Sequence, residues 1–159
     1  MQYQMQATDI NLILSGVIQT VSLAADKKKL TVSESMASST LWVLGDSNRL
    51  HQLFNNILNN AVNYTDEGGT IVVSTREDDN GQDCVIEIQD SAPGLLPHEM
   101  EQMFDRLYRK ETSRNKKLGG SGLGLAITKN IVEAHHGTIE AKASSLGGIN
   151  ITVRLPKHV

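Results

Sequence analysis

Glycines crowd one short segment of the 159-residue chain: Gly119-Gly120-Ser121-Gly122-Leu123-Gly124-Leu125 holds four in six positions. Where such a run enters a helix, backbone N–H groups can approach an anion at the positive end of the helix dipole. The spacing is G-x-G-x-G behind a basic stretch, unlike the G-x-G-x-x-G dinucleotide fingerprint that follows a strand. No Gly-Lys-Ser/Thr completes a Walker A loop, and the eukaryotic-type kinase signatures are absent. The segment therefore reads as a phosphate cradle of neither common type. A second group, Asn56, Asn60 and Asn63, recurs at i, i+4 and i+7, which puts three amides on one helix face. Neutral oxygens on a rigid helix suit Mg²⁺, which keeps several waters and takes much of its ligation from phosphates. The third is Asp90, in Asp90-Ser91-Ala92-Pro93-Gly94. A carboxylate at a strand end can accept from an exocyclic amine and so read adenine rather than guanine; the competing reading is an Asx turn before proline.

Charge narrows the ligand further. Of 15 basic and 18 acidic residues, six basic and one acidic fall between Arg106 and Lys117, which leaves nine and seventeen elsewhere. A +5 island thus sits in a domain of −8, a pattern that fits a small anion better than a polyanion. The net charge of −3 and only six aromatic residues argue against nucleic-acid binding. A single cysteine, Cys84, excludes an intramolecular disulfide and a thiolate-rich zinc site. No apolar run reaches the ~20 residues of a membrane-spanning helix, and residues 1–6 lack the pattern of a signal peptide.

The elements that must position these groups follow from periodicity. Thr8 and Asp9 can cap a helix carrying the stripe Ile10, Ile13, Leu14, Val17, Ile18 and Val21. Strands are expected at residues 29–35 and 41–44, the second closed by Gly45-Asp46. Helical period returns over residues 47–64 through Leu50, Leu53, Phe54, Ile57, Leu58, Ala61 and Val62. A hairpin over residues 70–75 and 84–89 turns at Asp78-Asp79-Asn80-Gly81 and delivers Asp90 to its end. A short helix is expected at residues 98–103, a mobile loop at 109–117, a helix from Ser121 to about His135 ended by Gly137, and strands at 138–143 and 149–155. This order implies an α/β (α+β) fold, a two-layer sandwich with one helical layer on a mixed, mainly antiparallel sheet.

In the order asparagine helix, Asp-x-x-x-Gly, Phe-containing helix, mobile loop and Gly-rich loop, these elements resemble the N, G1, F and G2 boxes of the ATP-binding domain of sensor histidine kinases. That family belongs to the GHKL superfamily and shares the Bergerat ATP-binding fold with gyrase, the Hsp90 chaperones and MutL. The resemblance runs from about residue 9 to 156 and is most specific over residues 49–65 and 119–127. Within the family it looks closest to membrane-bound envelope-stress sensors.

Carried onto this chain, the resemblance makes Asn60 the residue that holds Mg²⁺, with Asn56 one turn earlier beside the phosphates. Tyr64 resembles the aromatic near adenine and ribose, and Asp90 the residue that hydrogen-bonds adenine N6. Gly94 is the G1 glycine beneath the base, and Phe104 the F-box aromatic packing the lid. Arg109 and Lys110 lie where the family reaches for the phosphates. Gly120, Gly122 and Gly124, with Ser121, Leu123 and Leu125 among them, match the G2 box. Three positions depart from the pattern. Asn63 stands where the family often has a phosphate-binding lysine, which shifts that task toward Arg109; Ala92 replaces the middle G1 glycine; and Ile149 replaces a common hydroxyl residue after Gly147-Gly148.

Hydrolytic members of this fold family place a glutamate one helical turn before the metal-binding asparagine, to activate water. Here that position is Asn56, whose neutral amide is no general base. Catalysis would then rest on positioning and charge stabilisation of the γ-phosphoryl, with Asn56, Asn60 and Arg109 as the groups involved. None of His51, His98, His135, His136 and His158 makes a convincing phosphoacceptor; the His135-His136 pair reads as a contact to a helix C-terminus. The resemblance thus implies a histidine kinase catalytic domain over residues 8–159, with residues 1–7 left from a connector to a missing dimerisation and acceptor domain. It implies Mg-ATP or Mg-ADP as ligand, a response regulator downstream, no nucleic acid, a monomeric isolated domain and a homodimeric full-length protein. The domain would be cytoplasmic and the full-length protein held in the inner membrane. The alternative is a non-catalytic nucleotide-sensing or anti-sigma-type interaction module of the same fold; a dinucleotide-binding oxidoreductase is disfavoured by the glycine spacing.

Overall fold

The computed structural model describes residues 2–91 and 122–158, with the side chains of 122–126 outside that set. Its elements are β1 (Gln6–Asp9), α1 (Ile10–Lys27), β2 (Thr31–Ser35), β3 (Trp42–Gly45), α2 (Ser47–Tyr64), β4 (Thr70–Glu77), β5 (Asp83–Asp90), α3 (Gly122–Ala134), β6 (Thr138–Ala143) and β7 (Ile149–Pro156). Five strands form one sheet in the order β2-β4-β5-β7-β6, in which only β2 and β4 run parallel. β1 and β3 pair separately and antiparallel. This is the mainly antiparallel α/β sandwich expected from the order of elements.

Cross-strand register explains which face of the sheet the helices cover. Ile71 pairs with Asp90, Val73 with Ile88, Ile86 with Val153, and Cys84 with Leu155, so these alternate positions share a face. All are buried, and all but Asp90 join Ile10, Leu14, Val17, Leu50, Leu53, Phe54 and Leu58 from the helices in one core. Cys84 lies in that core, and desolvation raises its thiol pKa to about 11. α1 starts where Asp9 caps it, its carboxylate accepting from the Leu12 N–H at 3.2 Å. α2 starts in the same way at Asp46, which accepts from the Arg49 N–H at 3.1 Å.

Several boundaries differ from the periodicity reading, each for a local reason. The strand expected from Lys29 begins at Thr31, because Lys29 takes φ +56° and the Leu30 N–H bonds the Ala25 carbonyl, closing α1. At the end of α3 the left-handed residue is His136, at φ +60°, rather than Gly137. Gly137 is needed for close approach instead: a Cβ there would lie 2.3 Å from the Arg154 carbonyl oxygen. β1 has no apolar alternation to announce it; pairing with β3 makes it a strand. The hairpin turn matches its sequence, with Gly81 at φ +68° and its N–H bonding the Asp78 carbonyl at 2.9 Å. The expected helix at residues 98–103 and the loop at 109–117 lie outside the described residues.

Candidate functional site

α2 is amphipathic with an asparagine edge. Its buried side holds Leu50, Leu53, Phe54, Ile57, Leu58, Ala61 and Val62. Asn56 and Asn60 are half-buried at the rim of that stripe, Asn63 is exposed, and Tyr64 is half-buried in the last turn. The helix packs against both α1 and α3.

The packing of α2 on α3 has a definite polarity. His135, just past α3, is buried, and its Nε2 accepts the Asp46 N–H at 3.1 Å at the N-cap of α2. Nδ1 of the same ring meets the Ile131 carbonyl at 2.7 Å, so the bonds select the Nδ1–H tautomer. Gly45 makes room for this contact, since a Cβ there would lie 2.9 Å from His135 Cδ2 and 2.7 Å from Leu50 Cδ1. The end of α3 thus meets the start of α2, and the two helices run antiparallel. At about 1.5 Å per residue, the first turn of α3 comes level with the Asn56–Asn60 turn of α2. The backbone of Gly122, Leu123, Gly124 and Leu125 forms the first turn of α3.

Residues near the N-terminus close over this junction. The Gln4 N–H donates to Asp46 Oδ2 at 2.8 Å. The Tyr3 ring meets His135 edge-on at 5.6 Å, with the Arg49 guanidinium 6.0 Å from the Tyr3 centroid. The bond from Gln4, with those from the first turn of α2, holds the Asp46 carboxyl below its ordinary value against the opposing effect of burial.

At the other end of α2, Lys28 supplies the cap that the helix sequence lacks. Its ammonium donates to the carbonyls of Val62 at 2.8 Å and Asn63 at 3.1 Å. The loop beyond is tied back by the Gly68 N–H to the Lys28 carbonyl and by the Thr31 N–H to the Gly69 carbonyl. The chain then enters β4, which brings Ile71 beside Asp90.

Asp90 is buried at the end of β5, on the helix-covered face. Its Oδ1 accepts the Ile149 N–H at 3.1 Å, and its carbonyl accepts the Gly148 N–H at 3.1 Å. Position 149 thus serves Asp90 through its backbone N–H, which any residue type except proline supplies. The competing expectation for this segment, an Asx turn before proline, falls on residues outside the described set.

Among the described residues, two buried side-chain oxygens lack a hydrogen-bond partner: Thr65 Oγ1, directly after Tyr64, and Asn55 Oδ1. Nothing in the structure accounts for the second. Sequence reasoning passed over Thr65, Lys28 and the Asp46 contact of His135. Of the other expected site residues, Gly94, Phe104, Arg109, Lys110, Gly120 and Ser121 lie outside the described residues. Among the described residues, Asn56, Asn60, Asn63 and Tyr64 share α2, and Asp90 ends β5. Among the described residues no three His, Cys, Asp or Glu side chains gather as a metal site.

The family model described as histidine kinase-, DNA gyrase B- and HSP90-like ATPase matches residues 45–159. The signal transduction histidine-protein kinase BaeS of Escherichia coli is 50% identical over 117 residues, covering 74% of this chain and 25% of its own length. The sensor histidine kinase WalK of Bacillus subtilis is 34% identical over 146 residues, covering 88% of this chain and 24% of its own. The chain therefore spans about a quarter of the length of these curated relatives. Among solved structures, the mycobacterial sensor histidine kinase MprB superposes with a TM-score of 0.77 at 26% identity, covering 98% of this chain and 99% of that one.

Proposed function

Since the chain belongs to the family of histidine kinase-, DNA gyrase B- and HSP90-like ATPases, we propose that it binds Mg-ATP between the asparagine edge of α2 and the Asp90 end of the sheet, and donates the γ-phosphoryl to a histidine on a separate domain. The observation that carries this reading is Asp90, a buried carboxylate at the end of a central strand with its Oδ1 bonded to the Ile149 N–H. A carboxylate accepts at several positions, so it can also accept a hydrogen bond from an exocyclic amine. The relatives named as histidine kinases favour phosphoryl donation over a purely sensing module.

The side chains of Asn56 and Asn60 offer hard, neutral oxygens one helical turn apart, which fit Mg²⁺ in a site completed by phosphates and water. When bound, the ion neutralises charge on the phosphate oxygens. Asn56 and Asn60 hold the phosphate end in place, and the amide of Asn56 takes no proton from water at neutral pH, which disfavours hydrolysis. The N–H groups that open α3 around Gly122 and Gly124 supply positive potential toward the same edge. Tyr64 lies beside the base and ribose. Asn63, Gly94, Gly120, Ser121, Leu123, Leu125, Arg109 and Lys110 complete the contacts, with Arg109 and Lys110 at the phosphates.

The acceptor histidine belongs to a dimerisation domain joined through residues 1–7, two of which pair within β1. The full-length protein is a membrane-held homodimer that passes the phosphoryl group to a response regulator; among the described residues no helix is long and apolar enough to cross a membrane. The test is transfer of label from γ-labelled ATP to a supplied acceptor domain, with Asp90→Asn as control. Label on the acceptor is expected with the wild-type chain and little with the variant. Nucleotide binding without any transfer would point instead to a sensing module.

A further inference from the structure

The structure buries one hydroxyl beside the proposed base site and gives it nothing to bond. Thr65 is 0% exposed, and its Oγ1 has no hydrogen-bond partner among the described residues. Its backbone N–H is used, bonding the Ala61 carbonyl at 3.0 Å as the cap of α2. A desolvated hydroxyl without a partner destabilises a fold, whereas valine would occupy the same volume without that cost.

Its neighbours place this hydroxyl at the Asp90 end of the sheet. A Cβ on Gly69 would lie 2.6 Å from Thr65 Cγ2 and 2.7 Å from Ser91 Oγ, so Thr65 and the residue following Asp90 flank one glycine. Ser91 Oγ is itself engaged by the Thr70 N–H at 2.8 Å. The Thr65 methyl is the atom that meets Gly69, and a β-branched side chain is stiff about χ1, so the hydroxyl is held on another side.

We propose that Thr65 Oγ1 is a second base-reading group, donating to the ring nitrogen next to the amine that Asp90 reads; this rests on the ATP-binding function above. An ionised carboxylate only accepts, and a hydroxyl can donate. Together they complement an edge that offers an amine donor beside a ring-nitrogen acceptor, which adenine has. Guanine presents a carbonyl and an N–H there, the reverse order. The unpaired state of Thr65 in the free chain is then satisfied by the ligand.

Calorimetry on the 159-residue chain with Mg-ATP and Mg-1-deaza-ATP, which lacks that ring nitrogen, tests this on Thr65→Val and Thr65→Ser. Thr65→Val is expected to unfold at a higher temperature than wild type without nucleotide, yet to bind ATP about tenfold more weakly. The deaza analogue should bind wild type and Thr65→Val alike, and Thr65→Ser should keep wild-type affinity for ATP. Unchanged ATP affinity in Thr65→Val, or equal losses for both nucleotides, would overturn the assignment. If the valine variant does not fold, Thr65→Ala supports the same two-nucleotide comparison. A wild-type chain that binds no ATP, or binds it indifferently to Asp90→Asn, refutes the underlying function instead.

Discussion

His135 Nε2 accepts the Asp46 backbone N–H at 3.1 Å, which ties the end of α3 to the N-cap of α2. One buried ring therefore sets the relative height of two helices whose other ends carry Gly122–Gly124 and the asparagine edge. Replacing His135 by alanine leaves a cavity and strands the Asp46 N–H. We expect a loss of about 2–4 kcal/mol in urea denaturation. A loss below about 0.5 kcal/mol, the range of ordinary surface substitutions, would show that the contact does not hold the helices together.

The Asp46 carboxylate gives a pH-dependent counterpart. Its pKa is lowered from 3.8, first by the Gln4 N–H and then by bonds from the first turn of α2. A lowered folded value means that its stabilising effect is complete above 3.8 and is lost as pH falls through the folded pKa. In Asp46→Asn that part of the acid dependence should vanish. Thermal unfolding followed from pH 6 downward would show it as a shallower decline than in wild type; parallel curves would contradict the assignment.

Lys28 caps α2 from outside the helix. Lys28→Met keeps the stem and removes the ammonium that bonds the Val62 and Asn63 carbonyls. About 1 kcal/mol of stability should go with it. The local sign is faster amide exchange in the last turn of α2, at residues 61–65, with exchange in β5 unchanged relative to global stability. Unaltered protection there would mean that the helix end needs no cap.

Two glycines should respond in opposite directions. Gly16 lies inside α1 with nothing within 4 Å of a built Cβ, so Gly16→Ala should add about 0.5–1 kcal/mol through helix propensity. Gly137→Ala would push a methyl into the Arg154 carbonyl at 2.3 Å, backbone that cannot swing aside. It should cost more than about 3 kcal/mol or prevent folding. Denaturation midpoints of the two variants decide both, and a harmless Gly137→Ala would undermine the packing of β6 beside β7.

Asn60→Ala should remove Mg²⁺-dependent affinity for ATP while leaving the unfolding midpoint near that of wild type, since the side chain is only half-buried. Calorimetry with and without the cation separates the two effects. An Asn60→Ala chain that keeps its full response to Mg²⁺ would remove this residue from the metal site.

Where local pattern and tertiary packing pointed the same way, the chain was readable. α2 runs over residues 47–64 as its apolar period predicts, and the hairpin turns at Gly81 and delivers Asp90 to a strand end. β1 escaped because Gln6-Ala7-Thr8-Asp9 has no alternation, and only its partner β3 makes it extended. Lys28 and His135 escaped for a related reason: their partners are 34 and 89 residues away. A histidine at a helix end reads as a terminal contact, which the Ile131 carbonyl bears out, but no spacing rule announces Asp46 across the fold. Thr65 was read only as the edge of a motif; its burial and missing partner are properties of packing.

The chain's one cysteine offers a practical consequence. Cys84 is fully buried, and its thiol titrates at about 11, so at neutral pH it is neither reachable nor a thiolate. The folded domain is therefore a silent background for thiol-directed spectroscopic labels. A cysteine introduced at exposed Asn59 would carry the only dye or spin label. The native sequence thus comes ready for label-based measurements along α2 without removal of its own thiol.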